Sequence, residues 1–156
     1  MDIRFSAYVE NDFRDLKEMV FGLYDEDPEG MPITEEKITK TVNASVSHPE
    51  KVQIIMIRGD SAIIGYGIVT FSWSNEYGGD TVNIDELYVK RENRNRRVGS
   101  AFIRYILATY QSAVLFELEI TPSNNGALRL YRSHGFETSA NTHLSRVMNQ
   151  VTKDCI

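Results

Sequence analysis

The chain has 156 residues, of which 42% are hydrophobic and 25% are charged, and its formal net charge at pH 7 is −5. This length and composition predict one globular domain over residues 1–156 and argue against disorder and nucleic-acid binding. Without a long apolar run or a secretory signal pattern, no membrane association is expected. The single cysteine, Cys155, cannot form a disulfide within the chain, so a cytoplasmic location is expected.

The N-terminal third alternates between strand and helix patterns. Apolar alternation predicts a strand over residues 2–9, and apolar residues on one helical face predict a helix over 12–24. Proline and glycine predict a loop over 25–32, and a second helix follows over 34–47. Residues 1–50 hold twelve acidic and five basic side chains. This acidity is consistent with a cationic substrate, but acidic side chains that simply solvate helix faces are the favoured interpretation.

The remaining patterns extend a mixed sheet. We predict an α/β fold in which about six to seven mostly antiparallel strands carry four helices on their two faces. Residues 72–80 are predicted to form a loop. The predicted elements, in chain order, are strands 52–57, 62–71 and 82–89, helix 97–110, strand 114–120, helix 124–133, and a closing pair of strands 136–140 and 143–151.

A burst of positive charge follows the strand predicted over 82–89. It places five cations within eight residues of an acidic protein, and small residues suited to a helix start come directly after it. A helix N-terminus presents free N–H groups and a positive dipole end, so arginines beside it predict a phosphate site. A solvated basic face is the alternative. The five cations are Lys90, Arg91, Arg94, Arg96 and Arg97.

Two motifs resemble the signatures of the GNAT superfamily of N-acetyltransferases. The first, L-Y-V-x-x-x-x-R-x-x-R-V-G-S over residues 87–100, is similar to its acetyl-CoA signature. The second, N-N-G-A-x-x-x-Y-x-x-x-G-F over residues 124–136, is similar to its second signature. The resemblance implies a GNAT-type sheet in which a splayed strand pair holds the cofactor. It also implies acetyl-CoA as cosubstrate and no metal.

The resemblance assigns the cofactor contacts residue by residue. The strand end at 87–89 would pair with the pantetheine arm, and the backbone of the loop and first helical turn would bind the pyrophosphate. The implied cofactor-binding residues are Leu87, Tyr88, Val89, Arg94, Asn95, Arg96, Arg97, Val98, Gly99, Ser100, Asn124, Ala127 and Tyr131.

One position departs from the family pattern. Arg97 stands where the first glycine of R-x-x-G-x-G is found. Arginine in the left-handed region would cost about 1–2 kcal/mol. We therefore expect an ordinary helical φ at Arg97, with its side chain able to reach a phosphate.

The implied reaction needs a proton donor for the leaving thiolate and a base for the amine. By resemblance, Tyr131 is the general acid. Asp85 and Glu86 are candidate bases, and because they are adjacent on a strand, we expect them to face opposite sides of the sheet. A relay through water without a single base stays open. His134 is interpreted as a structural histidine.

The acceptor is expected to be a small cationic primary amine. Trp73, Glu76 and Tyr77, in the loop predicted over 72–80, are the candidate substrate-binding residues. Acetylation of a protein N-terminus or lysine is an alternative, as is a non-catalytic coenzyme A-binding module. Family habit suggests a homodimer.

Overall fold

A five-stranded sheet lies at the centre of the fold, and its strands lie side by side in chain order. The first four strands are antiparallel to one another in succession, and the fifth runs parallel to the fourth. The computed structural model describes residues 1–27 and 30–148. The elements are β1 (Arg4–Ala7), α1 (Phe13–Glu26), α2 (Glu35–Ser47), β2 (Val52–Arg58), β3 (Ile63–Ser74), β4 (Gly79–Val89), α3 (Val98–Thr109), β5 (Leu115–Leu118) and α4 (Asn125–Ser133).

Two apolar cores cover the two faces of this sheet. Strand β2 shows how the near-continuous apolar run is used, because successive side chains point to opposite faces. Ile54 and Met56 belong to the core beneath α1 and α2, whereas Ile55 and Ile57 belong to the core beneath α3 and α4. All four side chains are almost fully buried. The expectation of helices on both faces is therefore confirmed.

Strands β4 and β5 separate after a short pairing. Thr81–Ile84 pairs with Leu115–Leu118, and β5 then ends. The stretch Asp85–Val89 continues alongside β3 but has no described strand on its other side. Its backbone groups on that side are consequently not paired with another described strand. The predicted splayed strand pair is confirmed.

A β-bulge interrupts the pairing of β3 with β4 at Asp85. Ile68 pairs with Glu86 and Val69 pairs with Ile84, so Asp85 is the extra residue. The bulge shifts the alternation: Ile84 and Leu87, three positions apart, both pack against the α3 core. Asp85 and Glu86 consequently line one cavity together. The expectation that they face opposite sides of the sheet was wrong.

Other expectations also need correction. The closing strand pair is wrong where it can be checked: residues 136–148 contain no strand, and 149–151 lie outside the described residues. Leu144, Val147 and Met148 are exposed there, too few and too irregularly spaced to bury one face of a strand. The described sheet therefore has five strands rather than six or seven. The loop predicted over 72–80 is a tight hairpin whose strands run to Ser74 and from Gly79.

The contact between Gly67 and Phe102 yields a stability prediction. A Cβ at Gly67 would overlap the Phe102 ring, whose side chain is fully buried. Gly67→Ala is therefore expected to lower the free energy of unfolding by about 1–3 kcal/mol in urea titrations, because the ring must move. Gly126→Ala is the control, since its Cβ would meet nothing closer than 3.9 Å. That helical position should gain stability. Equal effects at the two positions would contradict this account of the packing.

Candidate active site

The turn into α3 presents an array of unpaired backbone donors. Asn95 and Arg97 both have left-handed φ angles, 61° and 63°. Such alternating turns direct successive N–H groups into one concavity. The first N–H of α3 to donate to the backbone is that of Ala101, and the N–H groups of residues 95–100 have no acceptor among the described residues. This is the environment that an anion needs.

The left-handed φ of Arg97 contradicts the ordinary helical φ that we expected there. Arg94 is extended, with φ −72° and ψ 161°, and α3 begins only four residues later at Val98. The chain must reverse direction within that distance. The left-handed residues accomplish this reversal at a backbone cost of about 1–2 kcal/mol for each non-glycine residue.

The five cations of the basic stretch divide into two groups. Three of them bind carboxylates of α1: Lys90 Nζ lies 3.7 Å from Asp15, and Arg91 and Arg94 both bind Glu26. The other two, Arg96 and Arg97, are exposed, and their side chains form no hydrogen bond or ion pair with any described residue. The positive charge available to a ligand therefore comes from these two side chains.

Arg94 positions the loop. Its two Nη2 hydrogen bonds to Glu26 are both 2.9 Å long, its Nε donates to the carbonyl of Val89 at 2.8 Å, and its guanidinium lies 5.3 Å from the Tyr88 ring centroid. Burial acts to raise the pKa of Glu26, but the hydrogen bonds from Arg94 and Arg91 outweigh it and lower the pKa. The end of α1 is thus tied to the loop that presents the free N–H groups.

Gly99, Ser100 and Asn124 serve the packing of α3 against α4 or the start of α4. A Cβ on Gly99 would lie 2.9 Å from Leu130 of α4. The Ser100 hydroxyl lies 2.7 Å from His134 Nε2, which supports the structural interpretation of that histidine. Asn124 caps α4 by accepting from the N–H of Ala127 at 3.0 Å. These contacts fix α4, and with it Tyr131, beside the cleft.

Tyr131 combines burial with an unpaired hydroxyl. It is only 7% exposed, and its ring packs edge-on against Phe136. The hydroxyl bonds to no described residue, yet no fully buried polar side-chain atom among the described residues lacks a partner. The oxygen is therefore not fully buried and keeps some contact with solvent. Burial raises the pKa of Tyr131 to about 12, so the phenol keeps its proton at neutral pH.

A cavity of about 410 Å³ lies between the α1–α2 layer and the sheet, on the other face from Tyr131. Its walls are largely apolar, and Asp85 and Glu86 of β4 form part of its lining. Asp85 comes directly after Ile84, the last β4 residue paired with β5, so a residue that lines the cavity also begins the unpaired edge of β4. The cavity and the open edge therefore share Asp85.

Glu86 is held by two tyrosines. Tyr66 donates to Oε1 at 2.7 Å, and Tyr24 donates to Oε2 at 2.9 Å. Burial raises the pKa of Glu86 and outweighs these two hydrogen bonds, which act to lower it. The tyrosines come from α1 and β3, far away in the chain, and were not identified from the sequence. The feature that could have identified Tyr66 as a partner of Glu86 is its position opposite Tyr88, two residues after Glu86. This position is known only once the strand register is known.

Asp85 differs from its neighbour in having no such partners. Its side chain is exposed to the cavity and forms no hydrogen bond or ion pair with a described residue. Its pKa is raised, first by partial desolvation and then by the nearby charge of Glu119. A carboxylate that is unpaired and of raised pKa is suited to accept a proton.

The three residues predicted to bind the acceptor lie away from this cavity and from the open edge of β4. Trp73, Glu76 and Tyr77 are at the far end of the β3–β4 hairpin, about 20 Å along β4 from Asp85. Trp73 is 68% exposed and Tyr77 is 57% exposed. None of the three lines the cavity. The structure therefore brings together Asp85, Glu86 and the splayed edge, and leaves the hairpin turn apart.

Two kinds of feature are absent from residues 1–27 and 30–148. No helix there has both the length and the apolar character to cross a membrane. Nor do these residues contain a group of three or more His, Cys, Asp or Glu side chains placed to hold a metal ion.

Comparison with known proteins gives a family match and several fold matches. The family model of the acetyltransferase (GNAT) family matches residues 12–136. A possible acetyltransferase from Clostridium difficile 630 is 21% identical, with a TM-score of 0.79 over 94% of this chain and 98% of that one. AAC(6')-Iy, solved with the bisubstrate analog CoA-S-monomethyl-acetylneamine, is 13% identical, with a TM-score of 0.76 over 95% and 99% of the two chains. A search of curated proteins found no match.

At these sequence identities, the similarity to the solved structures shows the fold and not the activity. The family match is stronger evidence because it spans both the splayed strand pair and the helix that carries Tyr131. GNAT proteins use acetyl-CoA, and the free donors of residues 95–100 with the open edge of β4 fit such a cosubstrate. This chain belongs to the GNAT family of acetyltransferases.

Proposed function

We propose that this protein transfers the acetyl group of acetyl-CoA to a primary amine by direct attack. The observation that carries the proposal is the junction at Asp85. There the unpaired edge of β4 and the apolar cavity meet. A thioester held along residues 85–89 would lie beside an amine that enters from the cavity. The acetyl group could then pass directly to the amine without a covalent acyl-enzyme intermediate.

The pyrophosphate is assigned to the turn into α3. The N–H groups of residues 95–100 supply hydrogen bonds, and Arg96 and Arg97 supply charge. Both side chains are free of described partners, in contrast to Arg94, which is bound to Glu26 and Val89. The pantetheine arm pairs with the open edge of Leu87–Val89, where the backbone groups other than the Val89 carbonyl, which Arg94 holds, have no described strand partner.

Each proton in the proposed reaction has a donor and an acceptor. The acceptor, which is an ammonium ion at neutral pH, first gives one proton to water. The neutral nitrogen then forms a bond to the thioester carbon, and the carbon–sulfur bond breaks. Asp85 takes the proton that the attacking nitrogen loses, and Tyr131 gives its proton to the departing thiolate. The products are an acetamide and coenzyme A with a free thiol, and the two side chains exchange protons with water before the next turnover.

Arg97→Gly tests the phosphate assignment through two effects of opposite sign. Glycine adopts the left-handed φ without strain, so the free protein should become more stable to urea by about 1 kcal/mol. Loss of the cation should weaken acetyl-CoA binding measured by calorimetry. S-acetylpantetheine has no pyrophosphate, so its binding is the control and should be unaffected. A variant that loses affinity equally for both ligands would contradict the assignment.

Tyr131→Phe should lower kcat by about 10²–10³-fold and leave the affinity for acetyl-CoA nearly unchanged, because only the proton donor is removed. Free thiol release, followed with a chromogenic disulfide, measures kcat. Tyr110→Phe is the matched control: burial also raises the pKa of Tyr110 to about 12, but its hydroxyl bonds to Gln53. If kcat is the same in Tyr131→Phe and the parent protein, Tyr131 is not the acid.

Asp85→Asn and Glu86→Gln separate the two carboxylates by their pH dependence. As a base, Asp85 is active only when ionised, so kcat/KM should fall as pH drops through its raised pKa. Asp85→Asn should lower kcat/KM and remove this acid limb. Glu86→Gln should keep it, because Glu86 is bound by Tyr24 and Tyr66. Retention of the limb in Asp85→Asn and its loss in Glu86→Gln would assign the base to Glu86.

A further inference from the structure

We infer that the acceptor is a primary monoamine with an apolar body, such as an alkylamine or an arylalkylamine, rather than a polyamine, an aminoglycoside or a peptide. This inference rests on the proposed function and specifies its substrate class. The ammonium end lies at Asp85, and the apolar body fills the cavity beneath α1 and α2.

The walls of the cavity favour an apolar occupant. Leu16 and Val20 of α1, Ile38 of α2, and Ile54 and Ile68 of the sheet line it, and each of these side chains is less than a tenth exposed. A ligand that reaches between them replaces water with hydrocarbon on most of its surface. At about 410 Å³ the space lies within the usual range for small-molecule sites.

Charge is confined to two places in this lining. Asp85 and Glu86 lie on β4, and the remaining charged residue among the described lining is Lys40, exposed on α2. One ammonium group can therefore be matched at the carboxylates. A second one would be desolvated against apolar walls or placed beside Lys40, and both outcomes are unfavourable.

The acidic side chains of the N-terminal third do not change this balance. Glu26 is bound by arginines, Glu35 lies 3.5 Å from Lys17, and Glu36 lies 3.2 Å from Lys40. None of these carboxylates lines the cavity. They therefore provide no second anionic subsite for a polycation, which the acidity of the sequence alone suggested.

A peptide acceptor fits the lining poorly as well. Peptide backbone needs hydrogen-bond partners at every residue. The uncharged polar side chains of the described lining are Thr41, Thr70 and Tyr24, and the Tyr24 hydroxyl is already donated to Glu86. The apolar walls leave most peptide N–H and C=O groups without partners.

The test compares amines of equal length in the full chain with saturating acetyl-CoA. Hexylamine should exceed 1,6-diaminohexane in kcat/KM by at least about tenfold, because the second ammonium of the diamine has no partner. Spermidine, kanamycin and a short peptide with a free N-terminus complete the panel. If any of these amines is acetylated with a higher kcat/KM than hexylamine, the inference is overturned and the proposed function stands. If acetyl-CoA shifts the melting temperature but no amine is acetylated, both are overturned.

Two cavity variants make the test specific to this site. Ala44→Leu adds volume at a half-buried lining position, so kcat/KM for hexylamine should fall by about tenfold or more while that for ethylamine changes little. Asn43→Leu is the control, because Asn43 is exposed on α2 and is outside the lining. Lys40→Glu should lower the ratio of kcat/KM for hexylamine to kcat/KM for 1,6-diaminohexane, because the new carboxylate can pair with the second ammonium of the diamine. The acceptor would bind outside this cavity if kcat/KM for hexylamine fell equally in Ala44→Leu and Asn43→Leu and if Lys40→Glu left the ratio of the two kcat/KM values unchanged.

Discussion

Asp85 is the extra residue of a β-bulge, and the arrangement of the site depends on that insertion. A regular ladder would point Asp85 and Glu86 to opposite faces of β4. With the bulge, both carboxylates line the cavity, while Leu87 and Val89 still pack toward α3. The bulge also coincides with the end of the pairing between β4 and β5. One irregularity therefore sets the register of the carboxylates at the point where the sheet opens.

The electrostatic balance around the cleft depends on α1 as much as on the basic stretch. Lys90, Arg91 and Arg94 pair with α1 carboxylates, and these pairs tie the helix to the loop before α3. At the partly exposed Glu26, each such pair contributes little to stability by itself. Their larger effect is that three of the five cations are engaged in ion pairs within the protein. Only Arg96 and Arg97 then remain without ion-pair partners among the described residues, beside the free N–H groups.

The sequence predicted the elements whose signals are local. Helical periodicity located α1 to α4 within a few residues, and the two motifs located the cleft and Tyr131. The bulge at Asp85 and the hydrogen bonds of Tyr24 and Tyr66 to Glu86 depend on strand register and on contacts distant in the chain, which local patterns do not contain. The φ of Arg97 differs from the expected helical value because the loop must reverse direction between Arg94 and Val98, and this requirement outweighs the backbone strain.

The two faces of β4 separate the two halves of the proposed chemistry. Tyr131 lies in the core on the α3 side, with its pKa raised to about 12, so it holds its proton at any ordinary pH. Asp85 opens to the cavity on the other side with a raised pKa, which makes it a stronger base than an ordinary aspartate once it is ionised. The acid and the base are thus insulated from each other by the strand that would hold the thioester. In the proposed reaction the thioester would lie along the edge of this strand, so its carbonyl carbon would be the point on which the acid of one face and the base of the other both act.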